Sequence, residues 1–308
     1  MTNGHLTPKA GQPAQPPAIF DRTLLRQRQD RASKAFADHD FLHRHIAEDV
    51  IDRLETIIRT FHRAAFLGPG AHYITEALTP ASDVSHVVSG AFSPAMARLG
   101  TDGAPRLTAD EEALPFADSS LDLIVSMMAL QSVNKLPEAL ARMRAALRPD
   151  GLLIAAFPGE RSLHELRDSL YRAESEITGG VSPRLSPFTA IKDAGGLMQR
   201  AGLALPVADL IRLPVTYRNP MTLLADLRGM GETSVLTGRR KQTLRKDVLV
   251  RAMEIYAETW PADGGGVTAT FEIVMLTGWA PHASQQKPLK PGSAKASLED
   301  AVKSAEKD

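Results

Sequence analysis

Three groups of residues have types and spacings that could do chemistry. The first is Gly68-Pro69-Gly70. An apolar run, Ala64 to Leu67, stops at this turn, and a helix begins near His72. Two positions without a Cβ let backbone approach a ligand, and a helix start offers free N–H groups to a nucleotide. The pattern G-x-G-x-x-G is incomplete, so the same residues also suit a plain strand-to-helix turn. His72 could move a proton or simply fill space. The second group is His164, Glu165 and Arg167, with Arg184 in a following loop. His164 and Arg167 are three residues apart and share a helix face. They either point at a pocket or belong to a network of caps and ion pairs that holds the loop at 179–188. The third group is His39, His43 and His45. No carboxylate-rich partner stands at metal-ligand spacing, so they read as a solvated helix face, and no metal centre is expected.

The elements that must position these residues alternate. Residues 1–18, with Pro8, Pro13, Pro16 and Pro17, read as a disordered tail. Residues 19–62 read as N-terminal helices, with Phe41, Ile46, Val50, Ile51, Leu54, Ile57 and Ile58 as the core-facing stripe. Strands are predicted near residues 64–67, 86–91, 106–108, 121–127 and 152–157, with Arg148-Pro149-Asp150-Gly151 as a turn. Helices are predicted at 94 onward and over Leu136–Leu147. Strands alternating with helices imply a doubly wound parallel sheet. Beyond it, Ser162 and Glu165 read as a capping box for a helix to about Glu176, and Pro187–Ala201 as a helix ended by Gly202. Extended segments at Pro206–Tyr217 and Val267–Trp279 bracket helices near Pro220–Met230 and Arg239–Trp260. The chain from 282 to 308 reads as a second tail.

The 308 residues carry zero formal net charge and no cysteine. A general nucleic-acid binder, a polybasic membrane protein, disulfides and a cysteine nucleophile are therefore not expected. No apolar run approaches the roughly 18 residues a membrane span needs, and the N-terminus lacks the apolar segment of a secretory signal. A soluble cytoplasmic protein is the expectation.

Asp110-Glu111-Glu112, Leu114-Pro115-Phe116-Ala117-Asp118-Ser119-Ser120, Asp122, Leu130, Val133-Asn134, Leu136-Pro137 and Leu147-Arg148-Pro149-Asp150-Gly151 resemble the middle of a class I S-adenosylmethionine-dependent methyltransferase. The chain is similar to the branch that holds the malonyl-carrier-protein methyltransferases of biotin synthesis. It is more similar to the complex I assembly factors that hydroxylate an arginine. The second likeness takes in Ile19-Phe20-Asp21-Arg22, Leu163-His164-Glu165-Leu166-Arg167, Ser182-Pro183, Ser186-Pro187-Phe188, Gln199-Arg200-Ala201-Gly202 and Gly229-Met230-Gly231-Glu232. The resemblance implies a Rossmann-like α/β fold over residues 63–281: seven strands, the last two mutually antiparallel, and a helical insertion at about 218–266. It implies S-adenosylmethionine as cofactor, held at Gly68, Gly70, Asp110 and Glu111. Asp110 would lie by the adenine amino group, its alternative being a turn residue; the alternative for Glu111 is a solvated side chain.

Three departures fall on one pocket. Phe66 stands where the resemblance expects the acid that orients the cofactor's amino-acid end, and His72 where it expects a third glycine. Ser89-Gly90-Ala91-Phe92 offers no carboxylate for the ribose. Gln131-Ser132 replaces an aromatic pair after the fourth strand, at the mouth where substrate enters, and neither residue is a strong base. Cofactor binding is thus expected to be altered, weak or absent, and the catalytic candidates reduce to Gln131, His164 and Arg167. Two readings stand: a methyltransferase acting on a protein or carrier-protein substrate, or an assembly factor that keeps the fold without the cofactor. An arginine hydroxylase-like assembly factor is a third.

Overall fold

A computed structural model describes residues 17–78, 84–100, 103–186 and 191–286. The tail predicted at 1–18 falls outside these residues except for its last two, and most of the one predicted from 282 also lies outside them. Seven strands form one sheet: β1 (Arg63–Leu67), β2 (His86–Ala91), β3 (Arg106–Thr108), β4 (Leu121–Met127), β5 (Leu147–Pro158), β6 (Ala204–Tyr217) and β7 (Val267–Trp279). Their order is β3-β2-β1-β4-β5-β7-β6. The first five pair in parallel, and β7 runs antiparallel to both β5 and β6. This is the class I methyltransferase topology that the resemblance implies. Successive strand side chains feed opposite cores. Ala64, Phe66, Leu123, Val125 and Met127 join one cluster, and Ala65, Leu67 and Ile124 the other.

Nine α-helices are described: α1 (Arg22–Ala32), α2 (Phe41–Thr56), α3 (Ala71–Leu78), α4 (Pro94–Ala97), α5 (Leu136–Ala146), α6 (His164–Thr178), α7 (Ile191–Arg200), α8 (Pro220–Met230) and α9 (Lys246–Thr259). Buried side chains of α2, α6, α8 and α9 belong to the first cluster, and those of α5 and α7 to the second. Parallel strands buried on both faces need such layers. Asp21 caps α1 by accepting from the Leu24 amide, and Ser93 caps α4.

Several local expectations give way to tertiary contacts. Helix α2 ends at Thr56, and Ile58 is fully exposed. The capping box does not form: Ser162 Oγ donates to the Glu272 carbonyl of β7 and accepts from its amide, while Glu165 accepts from Thr270. Arg148–Gly151 lie inside β5, where Asp150 takes a left-handed φ of 66° and the β4–β5 register shifts. Residues 239–245 are not helical; α9 starts at Lys246. The helix predicted from Pro187 is described only from Ile191.

Candidate functional site

In an open parallel sheet, ligands bind beyond the carboxyl ends of the strands where the order reverses, here between β1 and β4. Two regions lie along that edge, one beside β1–β3 and one beyond β4.

The first is the cofactor cleft implied by the family resemblance. Gly68 and Gly70 have φ of 112° and 78°, so both occupy the left-handed region. A Cβ on Gly68 would sit 1.8 Å from the Met127 carbonyl oxygen, and one on Gly70 would sit 2.9 Å from both His43 Cβ and Met127 Cε. The glycines therefore make room for protein atoms. Phe66 is wholly buried in the core, and His72 is buried with its ring 4.0 Å from that of Tyr73. At the other end of the cleft lies Arg22. Its guanidinium is 3.9 Å from the centre of the Phe92 ring, and its Nη2 donates to Asp110 at 2.7 Å and Glu111 at 2.6 Å. Its Nη1 donates to the Ser132 carbonyl. Asn134 fixes the approach of the chain by bonding both backbone groups of Phe20.

Burial works against both charges of this cluster. For Arg22 two carboxylates outweigh it and raise the guanidinium further. For Glu111, almost entirely enclosed, burial prevails over Arg22 and raises the carboxyl. Asp110 and Glu111 thus meet at one place, engaged by Arg22. The residues present depart from those by which the family resemblance would hold S-adenosylmethionine. No carboxylate stands at Ala91 for the ribose, a guanidinium lies over the Phe92 ring, and Asp110, the acid for the adenine amino group, accepts from Arg22 through Oδ1.

The second region is a cavity of about 220 Å³ beyond the end of β4. Leu163, just before α6, with Leu166 and Leu170 of α6 form one wall, Leu224 and Leu227 of α8 another, and Leu25 of α1 a third. Its polar lining includes Gln131 and Glu232, which bond to each other. Gln131 lies on a short 3-10 turn, Leu130–Ser132, that follows β4. Glu232 is placed by the end of α8: Gly231 adopts φ 84° and donates to the Arg228 carbonyl, while the Glu232 amide donates to Leu227. A left-handed glycine ending a helix folds the next residue back over the last turn. The Gln131 amide nitrogen donates to the Met128 carbonyl and to Glu232 Oε1, both at 2.9 Å. Both neighbours accept, so the NH₂ must face them and the amide oxygen turns away. That oxygen is buried with no hydrogen-bond partner among the described residues. Burial pushes the Glu232 carboxyl up to about 7, and the bond from Gln131 offsets only part of this. Glu232 keeps some accessible surface because it lines the cavity, but protein surrounds it.

The other sequence candidates are placed as follows. His164 and Arg167 are not among the cavity-lining residues, and α6 presents its leucines there instead. His164 lies beside Trp260, its Nδ1 3.3 Å from Glu165, and Arg167 donates to the Glu160 carbonyl. The loop after α6 is held by Glu174, which accepts from Ser182 and Arg184. Arg184 and Ser132 do line the cavity. Sequence reasoning passed over Glu232 and Arg22 as chemistry, although both stand in motifs quoted for the resemblance. Among the described residues, no cluster of His, Cys, Asp or Glu suits a metal ion, and no helix is long and apolar enough to cross a membrane.

Residues 66–155 match the family described as a methyltransferase domain. Arginine-hydroxylase NDUFAF5, mitochondrial, from Danio rerio is 36% identical over 289 residues, covering 92% of this chain and 90% of that protein. The Homo sapiens protein of that name is 37% identical over 284 residues, covering 91% and 82%. A malonyl-[acyl-carrier protein] O-methyltransferase from Halorhodospira halophila is 30% identical over 274 residues, covering 87% and 91%. The crystal structure of YcgJ from Bacillus subtilis superposes with a TM-score of 0.53 at 14% identity, over 77% of this chain and 99% of that one, a likeness of fold. The chain belongs to the methyltransferase-fold family that includes the NDUFAF5 arginine hydroxylases and the malonyl-carrier-protein O-methyltransferases.

Proposed function

We propose that this protein is an assembly factor of the NDUFAF5 type, that its cavity receives an arginine side chain of a partner protein, and that it does so without S-adenosylmethionine. One observation carries the reading: the Gln131–Glu232 pair in the cavity lining turns its amide donors inward and leaves two acceptors, the Glu232 carboxylate and the unpartnered Gln131 oxygen. A guanidinium brings five donors and no acceptor, and it stays charged where a carboxylate does not. The leucines around it suit the aliphatic stem of an arginine. The resident residues orient and desolvate that side chain. The occupied cluster at Arg22, Phe92, Asp110 and Glu111 supports the absence of the cofactor.

A second reading, a methyltransferase acting on a carrier-protein substrate, draws on the malonyl-carrier-protein relative and on Arg184 and Arg228 in the cavity wall, which would take a carboxylate. Calorimetric titration separates the two. With S-adenosylmethionine, millimolar ligand should give no binding heat. A short peptide with a central arginine should bind, and Glu232→Gln should weaken it by about 1.5–3 kcal/mol, the range for a charge-assisted hydrogen bond. A citrulline peptide should bind no better to the native protein than to the variant. Micromolar binding of S-adenosylmethionine, or arginine binding indifferent to Glu232, would overturn the reading.

A further inference from the structure

Beside the cavity is a bowl of about 350 Å³ that shares Arg184, Thr233 and Ser234 with it. Its rim carries five cations, Arg28, Arg184, Arg239, Arg240 and Lys241, and no acid. Of its ten lining residues only Pro183 lacks a polar side chain; Thr233, Ser234, Gln242 and Thr243 supply the rest. Every one of these nine can donate a hydrogen bond. One carboxylate stands behind the rim: Glu174, 2.6 Å from Arg184 and 3.5 Å from Arg240. Among the described residues, Arg28, Arg239 and Lys241 have no ion-pair partner; Arg28 and Arg239 donate to the backbone carbonyls of Ser234 and Leu236.

The cations have not collected on a flexible tail. Arg28 comes from α1, Arg184 from the loop after α6, and the other three from the stretch after α8. The fold brings three distant segments together and leaves their like charges facing one another. Burial disfavours the Arg28 charge, and Arg239 and Arg31 disfavour it further, with only Asp21 opposing. Uncompensated like charges destabilise a folded chain, and a surface that keeps them is complementary to an anion. The bowl is larger than a single small oxyanion needs and shares a wall with the cavity at Arg184, Thr233 and Ser234.

We propose that this bowl docks an acidic segment of the partner protein, whose aspartate or glutamate side chains meet Arg28, Arg239 and Lys241 while its target side chain enters the cavity. The proposal rests on the reading of the cavity as a site for a protein side chain. It adds the partner's flanking sequence: acidic residues within a few positions of the inserted one. A lone cation nearing Glu232 passes a positive rim, so an acidic flank also separates true partners from other arginine-bearing chains.

The test uses a fluorescein-labelled oligoglutamate peptide without arginine or lysine, read by anisotropy on the full chain. It should bind, weaken as ionic strength rises because exposed charges are screened over about 8 Å at physiological salt, and lose on the order of tenfold or more on Arg239→Glu, a charge reversal that sets a carboxylate against the acidic peptide. Arg142→Glu, the same charge change on an exposed position of α5, should leave binding unaltered. Circular dichroism of both variants checks that they fold. Equal loss in the two variants, or binding of inorganic phosphate or single-stranded DNA at Arg239 in preference to the peptide, would overturn the proposal. Because the probe has no arginine, failure of arginine binding at Glu232 would sink the cavity reading without producing either of these results.

Discussion

Removing Arg22 tests how firmly the ion cluster beside β2 and β3 holds the N-terminal helix to the sheet. Arg22→Ala leaves the Glu111 side chain, 2% exposed, without the cation that stands 2.6 Å away. Breaking a buried pair by deleting one partner costs about 3–5 kcal/mol, since the remaining charge stays buried. Loss of the guanidinium from the Phe92 face adds about 0.5–1 kcal/mol. Asp110, whose side chain is 36% exposed, turns to water and adds little. The sum, about 3.5–6 kcal/mol, is a large share of the roughly 5–15 kcal/mol that holds a typical domain. Urea denaturation at neutral pH should register it as a lower midpoint at unchanged slope. The sign with pH follows from Glu111. Its folded carboxyl already lies above the ordinary 4.5, and loss of Arg22 raises it further. The Glu111 part of the deficit should therefore vanish below the unfolded value, where the carboxyl is protonated in both states, leaving the small Phe92 contribution, and grow as pH rises through the folded value. Adding Glu111→Gln should recover most of the loss, and Arg22→Lys should recover less, because a point charge cannot fork across two carboxylates. A deficit under about 1 kcal/mol, or one indifferent to pH and to Glu111→Gln, would refute the reasoning.

Two further predictions concern buried titratable groups. His43 is fully buried, both ring nitrogens lack a partner among the described residues, and burial, with His72 adding and Asp40 opposing, lowers it from 6.5 to about 4. The unfolded chain takes up that proton first, so stability should fall by about 3 kcal/mol as pH drops from 6.5 to 4, and His43→Leu should remove that part of the acid limb in denaturation midpoints. Glu232 has the opposite sign: its folded carboxyl, at about 7 against 4.5, costs stability only when ionised. Glu232→Gln should stabilise the protein by about 3 kcal/mol above neutrality and by almost nothing near pH 4, and a pH-independent difference would discount the burial of that carboxylate.

The sheet was legible because its strands are short apolar runs cut by turn residues, and even Arg106–Thr108, three residues long, falls where the alternation asks for a strand. Helix ends were less so. Ser162 and Glu165 satisfy every local rule for a capping box, yet β7 offers Ser162 both a donor and an acceptor, and the local bond loses to the sheet. The stretch 239–245 is rich in good helix formers but serves as the wall of a bowl. Propensity is a weak prior against such contacts. The site was legible in location only. Gly68 and Gly70 do mark the crowded turn, but spacing alone cannot tell whether a glycine clears a ligand or a neighbouring carbonyl. Glu232 looked like any carboxylate after a glycine until α8 folded it onto Gln131, 101 residues away in sequence.

The two halves of the carboxyl edge are tied together by one helix. Arg22, Leu25 and Arg28 fall at intervals of three along α1, so they share a face. Arg22 reaches the cluster over β2 and β3, Leu25 lines the cavity, and Arg28 lines the bowl. In a methyltransferase fold the cleft beside β1 and the cavity beyond β4 divide the work between cofactor and substrate. Here the N-terminal helix sends its first turn to the Asp110 and Glu111 cluster and its later turns to the walls of the cavity and the bowl. Under the proposed reading, the sheet edge that would present a sulfonium lies beneath the surface that meets a partner. Arg22 is then a fixed strut, held by two carboxylates, while Arg28 and Arg239 across from it have no ion-pair partner among the described residues.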